Sequence, residues 1–119
     1  GSLLGKWSGK VYHEVTIVQG GDENSIRING FPSSAAIGLR GYVMPDNTIR
    51  IPYQQYEMPL YPTDYYYDGF RPLNGDEFVI QFDSDHIYIS DAFEIRKKDI
   101  STGKYGTYRG EADTLTRVQ

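Results

Sequence analysis

Regular alternation of apolar and polar residues near the start of the chain is the feature that most constrains its fold. Across residues 6–18 the odd-numbered positions are mostly apolar and the even-numbered positions mostly polar. A period of two places successive side chains on opposite faces of a β-strand. The pattern predicts one long strand over residues 6–18, with Trp7, Val11 and His13 on its inward face.

Similar runs recur along the chain and are separated by short turns rich in Gly, Asn and Asp. The helix formers Leu and Ala number only six and four. The sequence therefore predicts an all-β fold of seven to eight antiparallel strands, in a meander that closes on itself to bury its inward faces. The further strands are predicted near residues 25–29, 37–43, 48–54, 78–82, 87–95 and 105–118.

The predicted core consists of the inward-facing apolar side chains of these strands. Its members are Trp7, Val11, Val15, Ile17, Ile26, Ile28, Leu39, Val43, Ile49, Ile51, Phe78, Ile80, Phe82, Ile87 and Ile89.

Two segments allow more than one interpretation. In residues 91–98, the pair Asp91 and Glu94 matches a helix capping box, whereas the unbroken period of two favours a strand. Residues 55–72 contain three prolines, which prevent a regular central strand across the whole segment. A short edge strand over residues 65–70 is still compatible with the pattern.

Length and charge limit the function. The chain has 119 residues and a formal charge of −4, with Arg96-Lys97-Lys98 as its longest basic run. A single domain over residues 1–119 is expected, with residues 1–4 interpreted as an artificial leader or a trimmed linker. We expect no nucleic-acid partner, because that requires a basic surface. No apolar run reaches the roughly 18 residues of a membrane-spanning helix.

Residues that could support chemistry are few. There is no Cys, which excludes a thiolate nucleophile, and no Ser lies in a Gly-x-Ser-x-Gly setting. The Asp83, Asp85 and His86 group could hold a cation, but an Asp-Ser turn that bonds its own backbone is commoner. His13 is interpreted as an inward-facing barrel residue. We therefore expect a protein that is not an enzyme and has neither metal nor cofactor.

Two passages resemble a known family. One is Gly5-x-Trp7-x-Gly9, and the other runs from Ile26-Arg27-Ile28-Asn29-Gly30-Phe31 to Ile49-Arg50-Ile51-Pro52-Tyr53-Gln54. Together they resemble the small lipocalin-like (calycin-type) β-domains of Bacteroidetes cell-envelope lipoproteins over residues 5–54. The resemblance implies a lipocalin-like barrel with Trp7 buried near one end. It also implies an exported protein of the periplasm or outer-membrane surface, lipid-anchored upstream of residue 1.

Tyrosines form the strongest compositional anomaly. Six of the eleven lie between positions 53 and 67, and Phe70 follows them. Tyr combines a flat apolar face with a hydroxyl, which suits recognition surfaces, although such rings can also simply cover the barrel. The sequence predicts a non-catalytic binding module for a glycan or small apolar ligand. The alternative is an accessory or inhibitor-like domain that binds another envelope protein. The predicted contact residues are Tyr56, Tyr61, Tyr65, Tyr66, Tyr67, Phe70 and Arg71.

Overall fold

The computed structural model describes residues 2–56, 65–99 and 101–119, with the backbone alone for residues 65–68. In this part of the chain all regular elements are β-strands, and there are eleven of them. Their bounds are β1 Gly5–Ser8, β2 Val15–Gln19, β3 Ser25–Asn29, β4 Leu39–Met44, β5 Thr48–Pro52, β6 Tyr65–Pro72, β7 Glu77–Phe82, β8 His86–Ile89, β9 Phe93–Asp99, β10 Tyr105–Arg109 and β11 Asp113–Arg117.

Eight of the strands form a closed antiparallel barrel in the order β1-β11-β8-β7-β5-β4-β3-β2. Strands β2 to β5 are consecutive hairpin partners, and β1 closes the barrel by pairing with both β2 and β11. The predicted all-β barrel is confirmed, and its architecture is consistent with a lipocalin-like fold. No helix in the described ranges is long and apolar enough to cross a membrane.

The predicted continuous strand over residues 6–18 is wrong, because a loop over residues 9–14 separates β1 from β2. The Gly9 N–H donates to the Tyr12 carbonyl at 2.8 Å. The Asp113 carboxylate accepts the N–H groups of Val11 and Tyr12 at 2.9 and 3.1 Å. The loop reverses the phase of the side chains, so Tyr12 is buried while Val11 and His13 are exposed.

Most of the predicted core is confirmed. Twelve of its fifteen members are buried, while Val43 and Phe82 are partly buried against the core and Val11 is 39% exposed. Trp7 is completely buried, and its indole N–H donates to the Leu3 carbonyl at 2.9 Å. Further buried hydrophobic side chains that the sequence did not predict are Leu3, Tyr12, Phe31, Ala36, Phe70, Phe93 and Leu115.

The remaining three strands form a second sheet in the order β10-β9-β6, here called the outer sheet. Within residues 91–98, β9 forms a strand from Phe93 rather than a helix, and residues 65–70 lie in the edge strand β6, as the sequence allowed. The expected single strand over residues 87–95 is wrong, because β8 belongs to the barrel and β9 to the outer sheet. The expected single strand over residues 105–118 is instead two strands in different sheets. Gly110 lies between them, and a Cβ atom there would overlap the Phe93 ring.

The outer sheet extends from one end of the barrel. At that end, the last residue of β5, Pro52, pairs with the first residue of β7, Glu77. The last residue of β8, Ile89, likewise pairs with the first residue of β11, Asp113. The chain leaves the barrel there for β6 and again for β9 and β10. The molecule is correspondingly elongated, with extents of 46 × 30 × 28 Å.

Aromatic rings fill the junction between the barrel and the outer sheet. Phe70 of β6 and Phe93 of β9 are stacked with centroids 5.0 Å apart. Phe31 and Phe78 contact Phe93 edge-on at 5.4 and 4.9 Å, and Tyr12 contacts Phe31 at 4.9 Å. Such pairs add to the stabilisation that burial itself provides. The outer sheet is therefore held to the barrel by core packing.

Candidate functional site

The segment that the sequence predicted as a binding loop leads into the edge strand of the outer sheet. Tyr65, Tyr66 and Tyr67 belong to β6, where their backbones pair with Asp99, Lys98 and Lys97 of β9. Tyr61 lies outside the described residues. Tyr56 is partly buried against the core.

The last two predicted contact residues differ in their surroundings. Phe70 is completely buried in the aromatic junction, so the expectation that its ring lies on the surface is wrong. Its neighbour Arg71 is exposed and forms a salt bridge of 3.3 Å with Glu94 of β9. Alternation along β6 explains the contrast, since adjacent residues of a strand face opposite sides.

Gln54 ties β6 to the barrel. Its backbone N–H donates to the Phe70 carbonyl at 3.2 Å and its carbonyl accepts the Phe70 N–H at 2.8 Å. Its buried side-chain amide bonds both backbone groups of Arg40, at 2.7 and 2.9 Å. Gly69 has φ +134°, and a Cβ atom there would overlap the Gln54 carbonyl. The close approach of the two backbones therefore requires glycine at position 69.

Two tyrosines that the sequence did not single out are prominent on β10. Tyr105 and Tyr108 are 49% and 50% exposed. The Arg96 guanidinium lies 4.7 Å and the Lys98 ammonium 5.5 Å from the Tyr105 ring centroid. The Lys97 ammonium lies 4.8 Å from that of Tyr108. These cation–π contacts orient the rings at an exposed position.

The register of the strands assigns these contacts to the two faces of the outer sheet. Tyr105 pairs with Lys98 and Tyr108 with Ile95, and residues paired across antiparallel strands share a face. Because Ile95 packs partly against the core, Tyr108 shares the face that meets the barrel. Tyr105 lies on the opposite face, together with Arg96 and Lys98.

A surface cleft of about 470 Å³ adjoins the base of the outer sheet, between the loop over residues 9–14 and the segment after β3. His13, Arg109 and Glu111 contribute to its wall. The expected inward position of His13 is wrong, because its exposed ring lies at the cleft with Nδ1 3.2 Å from the Gly9 carbonyl oxygen.

The Asp83-Ser84-Asp85 turn has the self-bonded geometry that its composition predicted. One Asp83 carboxylate oxygen accepts the N–H groups of Asp85 and His86 at 2.9 and 2.8 Å, and the other accepts the Tyr88 hydroxyl at 2.8 Å. The Asp85 and Tyr88 hydrogen bonds lower the pKa of Asp83. Among the described residues, no group of three His, Cys, Asp or Glu side chains could hold a metal ion.

No family model, curated protein or solved structure matches this chain.

Proposed function

We propose that this chain is a non-catalytic binding module that recognises a glycan at the outer sheet. The observation that carries the proposal is the pair of exposed Tyr105 and Tyr108 rings, held by cations on a sheet that extends beyond the barrel. Rings presented in this way combine apolar area with hydrogen-bonding capacity at low entropic cost. The three tyrosines of β6 belong to the same sheet and are proposed to contribute as well.

The packing of the barrel supports a ligand on the surface. Large apolar side chains from all eight barrel strands meet in one buried cluster, closed at the outer-sheet end by Phe31, Phe70 and Phe93. A small apolar ligand inside the barrel would have to displace these close contacts. The close packing of the barrel interior therefore favours a glycan on the outer sheet over a small apolar ligand inside the barrel.

A glycan array followed by calorimetric titration tests the proposal. Tyr105→Ala and Tyr108→Ala are measured separately, because their rings lie on opposite faces of the outer sheet. At least one of them is expected to weaken binding about tenfold, as for an aromatic residue at the centre of an interface. Tyr42→Ala, which removes an exposed ring from the barrel wall, is the matched control. Equal affinity of all folded variants would contradict the proposed site.

A second candidate function, binding of another protein, is favoured by the edge of the outer sheet. In the described residues β10 pairs with β9 alone. The Gly110 N–H donates to the Phe93 carbonyl, and the Asp99 N–H donates to the Lys104 carbonyl. Because hydrogen-bonded pairs alternate along an antiparallel ladder, the backbone groups of the even-numbered residues of β10 bond to β9. The backbone groups of Tyr105, Thr107 and Arg109 therefore point away from β9, where an added strand could pair with them.

Thr107→Pro distinguishes the two functions. Proline at position 107 removes an N–H that faces away from β9 and leaves the β9–β10 hydrogen bonds in place. In an envelope-protein pull-down, loss of a partner with this variant supports strand addition. Retention of that partner contradicts it, and glycan affinity is expected to be unchanged.

We further propose that the protein acts in the cell envelope, as a member of the lipocalin-like lipoprotein domains that residues 5–54 resemble. Fractionation of cells that express the full-length gene product tests this proposal. Recovery of the protein in the cytosol alone would contradict it.

A further inference from the structure

Charge is distributed very unevenly between the outer sheet and the rest of the chain. The whole chain has 12 Lys and Arg and 16 Asp and Glu. Residues 65–72 and 93–109 hold six of these basic residues and only three of the acidic ones. The other described residues include six basic and eleven acidic ones. The acidic barrel with its loops thus adjoins a basic outer sheet, a contrast that the overall charge of −4 conceals.

The cations are concentrated on the face of the outer sheet that carries Tyr105. Arg96 and Lys98 of β9 alternate with Ile95, which packs against the core, and so lie on the opposite face. Thr107 and Arg109 of β10 and Arg71 of β6 are on the same face, because Thr107 pairs with Arg96 and both arginines pair with Glu94. We call this surface the basic face; its charged members are Arg71, Glu94, Arg96, Lys98 and Arg109.

Glu94 is the only acidic residue at these described register positions, and Arg71 and Arg109 flank it on the two neighbouring strands. Its salt bridge to Arg71 measures 3.3 Å. Among the described side chains of the basic face, one carboxylate and four cations give an excess of positive charge. Alternate residues of a strand are separated by about 7 Å and neighbouring strands by about 5 Å, so these cations form a compact two-dimensional array.

We infer that the basic face binds an acidic glycan, whose carboxylate or sulfate groups contact Arg96, Lys98 and their neighbours. The inference rests on the proposed glycan-binding function and specifies the chemistry of its ligand. Arginine pairs with carboxylate and sulfate oxygens through two parallel N–H groups. The Tyr105 ring and the Thr107 hydroxyl lie within the same array and supply the apolar and hydrogen-bonding contacts that sugar rings require.

The limited size of the array favours a short acidic saccharide over a nucleic acid. Nucleic-acid binding gains most of its strength from contacts to many phosphates along the backbone. The basic face offers four cations, of which Arg71 forms a salt bridge with Glu94 and Arg109 donates from Nε to the Asp91 carbonyl at 3.1 Å, and the acidic barrel adjoins it.

Calorimetric titration with oligogalacturonate, a chondroitin sulfate oligosaccharide, a neutral dextran oligosaccharide and oligodeoxythymidylate tests the inference. The test variant is Arg96→Gln/Lys98→Gln, which removes two charges but keeps polar side chains of similar reach. The control is Arg27→Gln/Arg40→Gln, because these residues are paired neighbours on β3 and β4 of the barrel. Thermal unfolding of each variant confirms that it is folded, and Lys98→Gln alone replaces the double variant if that one unfolds.

We expect the wild-type protein to bind at least one acidic oligosaccharide, with an affinity that falls as salt screens the charges. The double variant is expected to lose about tenfold or more of that affinity, and the control less than about twofold. Tighter binding of oligodeoxythymidylate would overturn the inference. Preference for neutral dextran, with loss in Tyr105→Ala but not in the double variant, would overturn the inference and leave the proposed function intact. Failure to bind any saccharide here or on the array would overturn both.

Discussion

Gly110 packs directly against the ring of Phe93, and its N–H donates to the Phe93 carbonyl at 2.8 Å. This contact lies where the chain leaves the outer sheet and returns to the barrel. The contact thus packs the connection between β10 and β11 against the aromatic junction.

We expect Gly110→Ala to destabilise the protein by about 1–3 kcal/mol, because the added methyl group would overlap a ring that is itself completely buried. The free energy of unfolding from denaturant titration measures the effect. Gly21→Ala is the control, since a Cβ atom there meets nothing within 4 Å. Equal stability of the two variants would show that the junction has room for the methyl group.

Replacement of Ile80 by Ala is expected to cost about 2–5 kcal/mol, because Ile80 is 2% exposed in the centre of β7. The adjacent Val79 faces outward and is 39% exposed, so Val79→Ala is a matched control with a much smaller effect. Both values come from thermal or denaturant unfolding. A larger loss at position 79 than at position 80 would contradict the described phase of β7.

Asp113→Asn is expected to destabilise the protein at neutral pH by about 1–3 kcal/mol, because the charged acceptor of the residue 9–14 loop is lost. Burial alone would raise the pKa of Asp113, but hydrogen bonds from the N–H groups of Tyr12, Val11, Lys10 and Thr114 outweigh it, and the pKa is lowered. A lowered folded pKa stabilises the protein above the unfolded value of about 3.9, and this contribution is lost as the pH falls through the folded value.

The wild-type protein should therefore lose part of its stability below about pH 4, and the Asp113→Asn variant should lose less over the same range. Unfolding free energies measured from pH 2 to pH 7 test the difference. Asp76→Asn, in the exposed turn before β7, controls for the loss of a surface charge. Identical pH profiles for the wild-type and Asp113→Asn proteins would contradict the role of this carboxylate.

Calcium or zinc is expected to leave the melting temperature unchanged. The Asp83 carboxylate already accepts hydrogen bonds from Asp85, His86 and Tyr88, and a cation would have to compete with these donors. A ligand that binds only the native state must raise its stability. A rise of several degrees with either ion at micromolar concentration would therefore overturn the interpretation of this turn.

The barrel could be predicted from the sequence because its strands alternate and most of its partners follow one another along the chain. The break between β1 and β2 could not be predicted, because the alternation of apolar and polar residues continues through residues 9–14. The loop there is bonded by Asp113, about a hundred residues away. No local pattern reports such a long-range acceptor, so the phases of Val11, Tyr12 and His13 were all predicted incorrectly.

The outer sheet could not be predicted from the sequence for a similar reason. Its central strand pairs with segments on both sides in sequence, and one of them, β6, precedes it by more than twenty residues. A short edge strand over residues 65–70 was allowed by the sequence and lies within β6, but the tyrosine density of that region gave no indication of Tyr105 and Tyr108. These two tyrosines are three residues apart and lie on opposite faces of β10, so neither periodicity nor clustering marks them.

The aromatic junction couples ligand binding at the outer sheet to the stability of the whole domain. Phe70 and Phe93 belong to the outer sheet yet complete the core of the barrel, so the two parts share one cooperative unfolding unit. Detachment of the outer sheet would open the hydrophobic centre of the barrel to water. Any ligand that binds the outer sheet only in its folded form should therefore raise the melting temperature measured at Trp7, which is completely buried in the barrel. The tryptophan thus becomes an intrinsic fluorescent reporter of events on a surface that it does not touch.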